Sequence, residues 1–187
     1  DDEKTSLRTI KKEEEKLIPI IDKYVYGYDS DELENIIGDL LKSKNKNLSI
    51  AESCTGGYVS NLITSVAGSS KYFKGSLIAY SNKIKIEKLG VSSNKINNFG
   101  AVSKEVVEEM AKNIRLKFKT SIGIASSGIA GPGGGTKDKP VGTVWIAYSD
   151  EKSTVSKKLN LTERRDINII LSSINLLNLL RINLKKY

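Results

Sequence analysis

The stretch "LSIAESCTGGYVSNLI", residues 48–63, indicates how this chain folds. It begins as a short apolar run, which is typical of a buried strand, and then passes through a Gly-Gly pair into a helical pattern. A turn of this kind leaves backbone amides free at the helix start, which makes it a ready anion site. Ser53 and Cys54, both possible nucleophiles, lie in the turn. Ordinary helix capping by Ser53 or Thr55 would explain the same spacing, so the function of the turn stays open at this point.

Strand and helix signals alternate through the rest of the chain. An amphipathic helix follows Ser103, which can cap it, and two alternating apolar runs flank residues 149–151 as in a hairpin. Further predicted elements are a helix over 55–70, strands over 74–82 and 120–127, and a closing helix over 163–180. Strands interleaved with helices, followed by a hairpin, predict the α/β class: a three-layer α/β/α sandwich with a mixed sheet and a C-terminal hairpin.

Residues 1–30 differ in character from the remainder. They predict a charged helix start, a break at Pro19 and a short strand-like run rich in tyrosine, with too little apolar surface to fold alone. We therefore expect one domain over residues 31–187, with residues 1–30 as a linker or the tail of a preceding domain. The apolar closing helix carries three Asn and two Ser within residues 167–180, which favours a buried helix over a membrane span.

Composition excludes several kinds of active site. The chain has no histidine and one cysteine, so Ser-His-Asp triads, Cys-His pairs, histidine metal sites and thiolate zinc sites are ruled out. A hydrolase built from this sequence would use lysine, tyrosine or a carboxylate as its base, and we expect no metal and no cofactor. One cysteine allows no internal disulfide, and the charged N-terminus does not resemble a signal peptide, so we expect a cytoplasmic protein.

Charge is distributed unevenly along the chain. Residues 1–47 hold 9 basic and 12 acidic residues, whereas residues 48–187 hold 21 and 10. A basic body suits an anionic small-molecule ligand. The chain is also rich in Lys, Asn and Ile as a whole, and it has no recognition-helix pattern, so we do not expect nucleic acid as a partner.

Two further stretches carry candidate site residues. In "AYSNKIKIEKLG", residues 79–90, Asn82 can cap a short helix whose first turn contains Lys83 and Lys85. A lysine there meets the positive end of the helix dipole, and it would be a neutral base if it were also buried; a solvated lysine is the alternative. The stretch "SSGIAGPGGGTKDKPVG", residues 126–142, places a glycine loop at the carboxyl end of a buried strand, where α/β proteins bind ligands. It matches neither a Walker A loop nor a dinucleotide fingerprint.

Taken together, these motifs resemble the C-terminal domain of the CinA family, the nicotinamide-nucleotide amidases. The resemblance rests on "AESCTGG", "YSNKIK" with "LGV", "GAVS" and "GIAGPGGGT…KPVGTVWIA", and it extends from about Leu33 to the last helix. It implies that residues 10–30 are the tail of the preceding domain found in full-length members. The usual Gly-Asp-Arg motif with a later Arg reads "TERRDIN" here, so that Arg164 matches the first arginine and Asn168 replaces the second.

The resemblance also implies an activity and a set of site residues. Family members hydrolyse nicotinamide mononucleotide to the acid and ammonia. The family's serine, tyrosine and lysine fall on Ser53 as nucleophile, Tyr80 as proton relay or orienting hydroxyl, and Lys85 as base. The residues expected to bind substrate are Thr55, Gly56, Gly57, Asn82, Gly131, Gly133, Gly134, Gly135, Thr136 and Arg164.

Cys54 competes with Ser53 as the nucleophile. A thiol is intrinsically the better nucleophile, but no histidine can pair with it, and successive residues of a strand face opposite ways. We expect Cys54 to pack inward. The rival to an enzyme is a non-catalytic nucleotide-binding or assembly module of a larger protein. The apolar closing helix further predicts a homo-oligomer.

Overall fold

The computed structural model describes residues 2–22 and 24–186. Its helices are α1 (Glu3–Ile21), α2 (Leu33–Ser43), α3 (Tyr58–Ser65), α4 (Asn82–Glu87), α5 (Ser93–Phe99), α6 (Lys104–Phe118) and α7 (Arg165–Lys185). Its strands are β1 (Leu48–Glu52), β2 (Phe73–Ile78), β3 (Ile122–Gly128), β4 (Thr143–Ser149) and β5 (Thr154–Asn160). A short 3₁₀ turn, Ser69–Lys71, precedes β2.

The five strands form one mixed sheet in the order β2-β1-β3-β4-β5. The pairs β2-β1 and β1-β3 are parallel, and β3-β4 and β4-β5 are antiparallel. The predicted α/β class, mixed sheet and hairpin are confirmed. Because β1, β2 and β3 are parallel, their carboxyl ends lie at the same edge of the sheet, and the turn after β1, the start of α4 and the glycine loop meet there.

Alternating large and small side chains create the two outer layers. Ile50, Ile124 and Ile146 face one side of the sheet, where they pack with α2, α3 and α7. The next residue in each strand is an alanine, Ala51, Ala125 or Ala147, and these face α6 on the other side. Small side chains allow α6 to approach closely: a Cβ at Gly123 would lie 2.2 Å from the Ala111 carbonyl oxygen.

The closing helix α7 is long and apolar enough to span a membrane by length and composition, but half of that span is buried inside the protein. It packs against α2, α3, β3 and β4. Leu176, Leu177, Leu180 and Leu184 belong to the larger core. The prediction of a buried helix, made from its Asn and Ser residues, therefore agrees with the packing of α7 in the core. These four leucines of α7 pack inside the chain itself, and the homo-oligomer stays a prediction.

The N-terminal region differs from its prediction. The predicted break at Pro19 is absent, since α1 continues through this residue to Ile21. The Asp22 amide then donates to the Ile18 carbonyl at 2.8 Å and closes the last turn. The tyrosine-rich run after α1 forms no strand over residues 24–28. No residue of α1 is buried, as its charged sequence requires.

Candidate active site

A serine and a lysine meet at the carboxyl edge of the sheet. Lys85 Nζ lies 2.9 Å from Ser53 Oγ. Lys85 is 2% exposed and Ser53 is 7% exposed, so the contact is shielded from water. Ser53 follows β1 directly and Lys85 lies on α4, which follows β2, so two neighbouring parallel strands bring the pair together.

Local structure at the start of α4 directs Lys85 inward. Ser81, and not Asn82 as predicted, caps the helix, and its Oγ accepts a hydrogen bond from the Ile84 amide at 3.2 Å. Asn82 is instead the first helical residue and is exposed. The Lys85 side chain reaches back to the end of β2, where Nζ donates to the Ala79 carbonyl at 2.8 Å and to the Tyr80 carbonyl at 3.3 Å.

The surroundings of Lys85 favour its neutral form. Burial lowers the pKa of Lys85 from 10.5 to about 8, because the ammonium loses its hydration. Among residues 2–22 and 24–186, no carboxylate forms an ion pair with it. A neutral amine has two hydrogens and one lone pair. If the two carbonyls of Ala79 and Tyr80 hold the hydrogens, the lone pair faces Ser53 Oγ and can accept its proton.

Cys54 lies on the other side of the turn. Its side chain is buried in the larger core, beside Gly128, where an added Cβ would lie 3.0 Å from Cys54 Sγ. Burial raises the pKa of the thiol to about 12, so almost no thiolate exists near neutral pH. Cys54 therefore has the character of a small core residue.

Glu52 organises the turn, and sequence reasoning missed this. It is fully buried, and its carboxylate accepts hydrogen bonds from the amides of Gly57, Val59 and Ser60 at 2.9, 3.2 and 2.9 Å. The hydroxyls of Ser60 and Thr55 donate to it as well. The anion at the start of α3 is thus the protein's own side chain. The signal was available, since a carboxylate directly precedes a turn that opens a helix.

The free anion site expected at Gly56 and Gly57 is therefore not present. The Gly57 amide is bound to Glu52, and the Gly56 amide donates to the Ser53 carbonyl at 3.1 Å. Both glycines have positive φ, 61° and 105°, which the tight turn requires. The Thr55 hydroxyl also has its hydrogen-bond partners within the protein. Its Oγ1 donates to Glu52 and lies 2.8 Å from Ser126 Oγ.

Tyr80 is at the mouth of the site and not in its interior. Its side chain is 57% exposed, and its hydroxyl accepts a hydrogen bond from Arg165 Nη2 at 2.9 Å. Arg165 Nη1 donates to the Gly131 carbonyl at 2.9 Å. Arg165 was not among the expected site residues, and nothing in its local sequence separates it from Arg164.

The matched arginine, Arg164, points elsewhere. Its exposed side chain makes two contacts with Asp166, at 3.3 and 2.6 Å. Asn168, which replaces the family's second arginine, is buried and ties α7 to the glycine loop. Its amide group donates to the carbonyls of Ala130 and Thr162, and its oxygen accepts from the Thr162 amide and hydroxyl.

The glycine loop forms an open groove beside these residues, lined by Pro132, Gly133, Gly134, Gly135, Thr136, Lys137, Pro140, Val141 and Glu163. Gly131 precedes a cis peptide bond to Pro132 and has φ 93°. Two hydrogen bonds between Thr136 and Lys139 close the loop. The Lys139 amide donates to Thr136 Oγ1 at 3.1 Å, and the Thr136 amide donates to the Lys139 carbonyl at 2.9 Å. A Cβ at Gly133 would meet nothing within 4 Å, so the backbone there is open to a ligand.

Comparison with known proteins gives a consistent result. The family model of the CinA C-terminal domain matches residues 30–184. A CinA-like protein from Amoebophilus asiaticus is 53% identical over 176 residues, which cover 94% of this chain and 42% of that protein. A CinA-like protein from Cytophaga hutchinsonii is 51% identical over 177 residues, covering 95% of this chain and 42% of that protein. The chain therefore spans less than half the length of these relatives.

Solved structures give the same fold. The competence/damage inducible protein CihA from Agrobacterium tumefaciens has a TM-score of 0.80 at 31% identity, covering 86% of this chain and 98% of that one. A CinA superfamily protein from Klebsiella pneumoniae has a TM-score of 0.81 at 26% identity, covering 86% and 100%.

Proposed function

The chain belongs to the CinA family through its C-terminal domain, and on that premise we propose that it is an amidohydrolase. Its substrate is nicotinamide mononucleotide, whose carboxamide it converts to the acid with release of ammonia. The observation that carries the proposal is the buried contact of 2.9 Å between Lys85 Nζ and Ser53 Oγ. A serine activated by a lysine is a known alternative to the histidine-based triad, and this chain has no histidine.

The reaction proceeds in two halves. Neutral Lys85 takes the proton of Ser53 as Oγ attacks the amide carbon, and the resulting ammonium then protonates the departing nitrogen, so that ammonia leaves and an ester to Ser53 remains. Water attacks this ester with Lys85 again as the base, which releases the acid and restores the Ser53 hydroxyl. Each half returns Lys85 to its starting state, and no group outside the chain is needed to balance the steps.

Burial of the pair makes this chemistry possible at ordinary pH. A solvated lysine remains almost fully protonated at pH 7. Lys85 has a pKa of about 8, so roughly a tenth of its molecules carry an uncharged amine at that pH. The oxyanion of the tetrahedral intermediate requires donors other than the Gly56 and Gly57 amides, which are occupied. We propose that backbone amides of the glycine loop supply these donors.

The charge around the site suits an anionic nucleotide. Arg164 and Arg165 begin α7, and Lys137 lies in the groove of the glycine loop. Residues 48–187 hold 21 basic and 10 acidic residues, so a phosphate is attracted to this domain as a whole. We infer that the expected substrate-binding groups of this loop, Gly131, Gly133, Gly134, Gly135 and Thr136, act through their backbone.

We further infer that the domain acts as part of a longer cytoplasmic protein, with a CinA-type domain before it, and as a homo-oligomer. The coverage of only 42% of the relatives supports the first inference. The same observation favours the second candidate function, a non-catalytic nucleotide-binding or assembly module whose chemistry lies in another domain.

Ammonia release from nicotinamide mononucleotide by this chain alone tests the proposal. We expect turnover by the wild type, none by Ser53→Ala, and nearly normal turnover by Lys83→Ala. Lys83 is a suitable control because it lies on the same helix but is exposed, and its one ion pair among the described residues is with Glu87, at 3.9 Å. Binding of the nucleotide without ammonia release would favour the non-catalytic module.

A further inference from the structure

Arg165 joins two parts of the candidate site that are distant in sequence. Its Nη2 donates to Tyr80 Oη, 85 residues away, and its Nη1 donates to the Gly131 carbonyl, each at 2.9 Å. Tyr80 follows β2, Gly131 begins the glycine loop after β3, and Arg165 begins α7. One side chain therefore connects the end of β2, the start of the glycine loop and the start of α7.

The direction of these bonds determines what the Tyr80 hydroxyl can do. A guanidinium can only donate, so the Tyr80 oxygen is the acceptor in this contact. The proton of Tyr80 is then left for another acceptor, and a substrate oxygen or a departing nitrogen beside Ser53 is such a group. Without Arg165, the exposed ring would have no hydrogen bond among the described residues to fix its hydroxyl.

The helix that carries Arg165 is itself held in place. Asn168, one turn further on, donates to the Ala130 carbonyl at 2.9 Å and to the Thr162 carbonyl at 2.8 Å. The start of α7 is thus fixed to the residue before Gly131. With the start of α7 fixed in this way, the planar guanidinium of Arg165 contacts the Gly131 carbonyl and the Tyr80 hydroxyl at the same time through two nitrogens. A lysine has a single nitrogen.

We propose that Arg165 is a positioning residue for the amidase reaction that acts through Tyr80. It orients the Tyr80 hydroxyl towards the substrate, and its bond to the Gly131 carbonyl fixes the guanidinium in the position that this requires. The proposal rests on the proposed function, because it assigns Tyr80 a task in that reaction. It distinguishes Arg165 from Arg164, whose guanidinium contacts only Asp166 among the described residues.

A double-mutant cycle measures the coupling. We expect Arg165→Ala to lower kcat on the order of 10²-fold, with a smaller change in KM, because a misplaced catalytic group costs turnover more than binding. The double variant Arg165→Ala/Tyr80→Phe should be no slower than Tyr80→Phe alone, since the two residues act through one hydroxyl. Added methylguanidine should restore part of the turnover of Arg165→Ala and none of the turnover of Tyr80→Phe.

A second readout does not depend on turnover. With tyrosine labelled by ¹³C at Cζ, the Tyr80 resonance is assigned by its loss in Tyr80→Phe. It should shift in Arg165→Ala and stay in place in Arg8→Ala, an exposed arginine on α1. Arg165→Lys should shift it as well, because a lysine does not reproduce the two separate nitrogens that contact Tyr80 and Gly131.

The outcomes separate the two proposals. Failure of the wild type to release ammonia would remove the proposed function, while the resonance would still report whether Arg165 holds Tyr80. An unchanged Tyr80 resonance in Arg165→Ala, or losses that multiply in the double variant, would overturn the positioning role of Arg165.

Discussion

Lys85 Nζ lies 2.9 Å from Ser53 Oγ, and both side chains are buried without a carboxylate paired to the lysine among the described residues. A buried cation without a counter-ion is costly, and the cost is lowest when the amine is neutral. The contact thus combines a nucleophile with a base that burial keeps available.

The first prediction concerns the pH dependence of turnover. Because the reaction needs neutral Lys85, kcat/KM should rise with pH through about 8 and level off above it. Lys85→Ala should lower turnover by several orders of magnitude, whereas Lys83→Ala should leave the profile unchanged. Steady-state rates of ammonia release between pH 6 and 10 measure this. A profile that is flat across that range would exclude Lys85 as the base.

The second prediction concerns stability. The pKa of Lys85 is lower in the folded state, so the unfolded state binds more protons between about pH 8 and 10.5, and the free energy of unfolding rises with pH there. Below pH 8 the wild type carries the full cost, about 3 kcal/mol for a shift of this size. Lys85→Met should therefore be more stable than the wild type near pH 7, with an advantage that shrinks as pH rises above 8. Urea unfolding at pH 7 and pH 9.5 checks this, and an advantage independent of pH would contradict it.

The third prediction separates the two candidate nucleophiles. Ser53→Ala should abolish turnover with little loss of stability, and Cys54→Ala should keep most of the activity. Because burial raises the pKa of Cys54 to about 12, iodoacetamide should inhibit poorly below pH 9. The assignment would be wrong if Cys54→Ala were inactive while its thermal unfolding remained normal.

The fourth prediction concerns Glu52. Removing its carboxylate leaves the amides of Gly57, Val59 and Ser60, which are partly or fully buried, without this acceptor, so Glu52→Ala should lower the free energy of unfolding by about 3 kcal/mol or more. Glu52→Gln keeps one acceptor oxygen and should cost about 1 to 2 kcal/mol.

The matched control for Glu52 is Glu34→Gln, in the first turn of α2, where only the helix dipole is affected and about 0.5 kcal/mol is expected. Chemical denaturation measures all three variants. Equal costs at Glu52 and Glu34 would show that the hydrogen bonds of Glu52 do not hold the turn.

The fifth prediction concerns the glycine loop. A side chain at Gly133 meets open space, so Gly133→Val should fold with an unchanged melting temperature and raise KM by blocking the approach of the substrate to the backbone. Gly134 is less suitable for this test, because its φ of 84° strains any substitution. A KM equal to that of the wild type would make the loop purely structural.

The sequence by itself determined the features that depend on near neighbours. The apolar runs of β1 and β3 predicted buried strands, and both strands are buried. Ser103 predicted the start of α6, and its Oγ accepts from the Val106 amide at 3.4 Å. The family resemblance placed the serine and lysine at Ser53 and Lys85, and the structure brings these two together. Helix capping was less certain: Ser81 and Asn82 are both able to cap α4, and only the backbone geometry selects Ser81.

Only the tertiary structure decided which of several similar residues enters the site. Lys83 and Lys85 are two positions apart on α4, and packing against the end of β2 buries the second alone. Arg164 is the N-cap of α7, with extended backbone, and Arg165 is the first helical residue, so the fixing of α7 by Asn168 determines which of them reaches Tyr80. Each of these outcomes depends on contacts between segments distant in sequence, which local spacing does not contain.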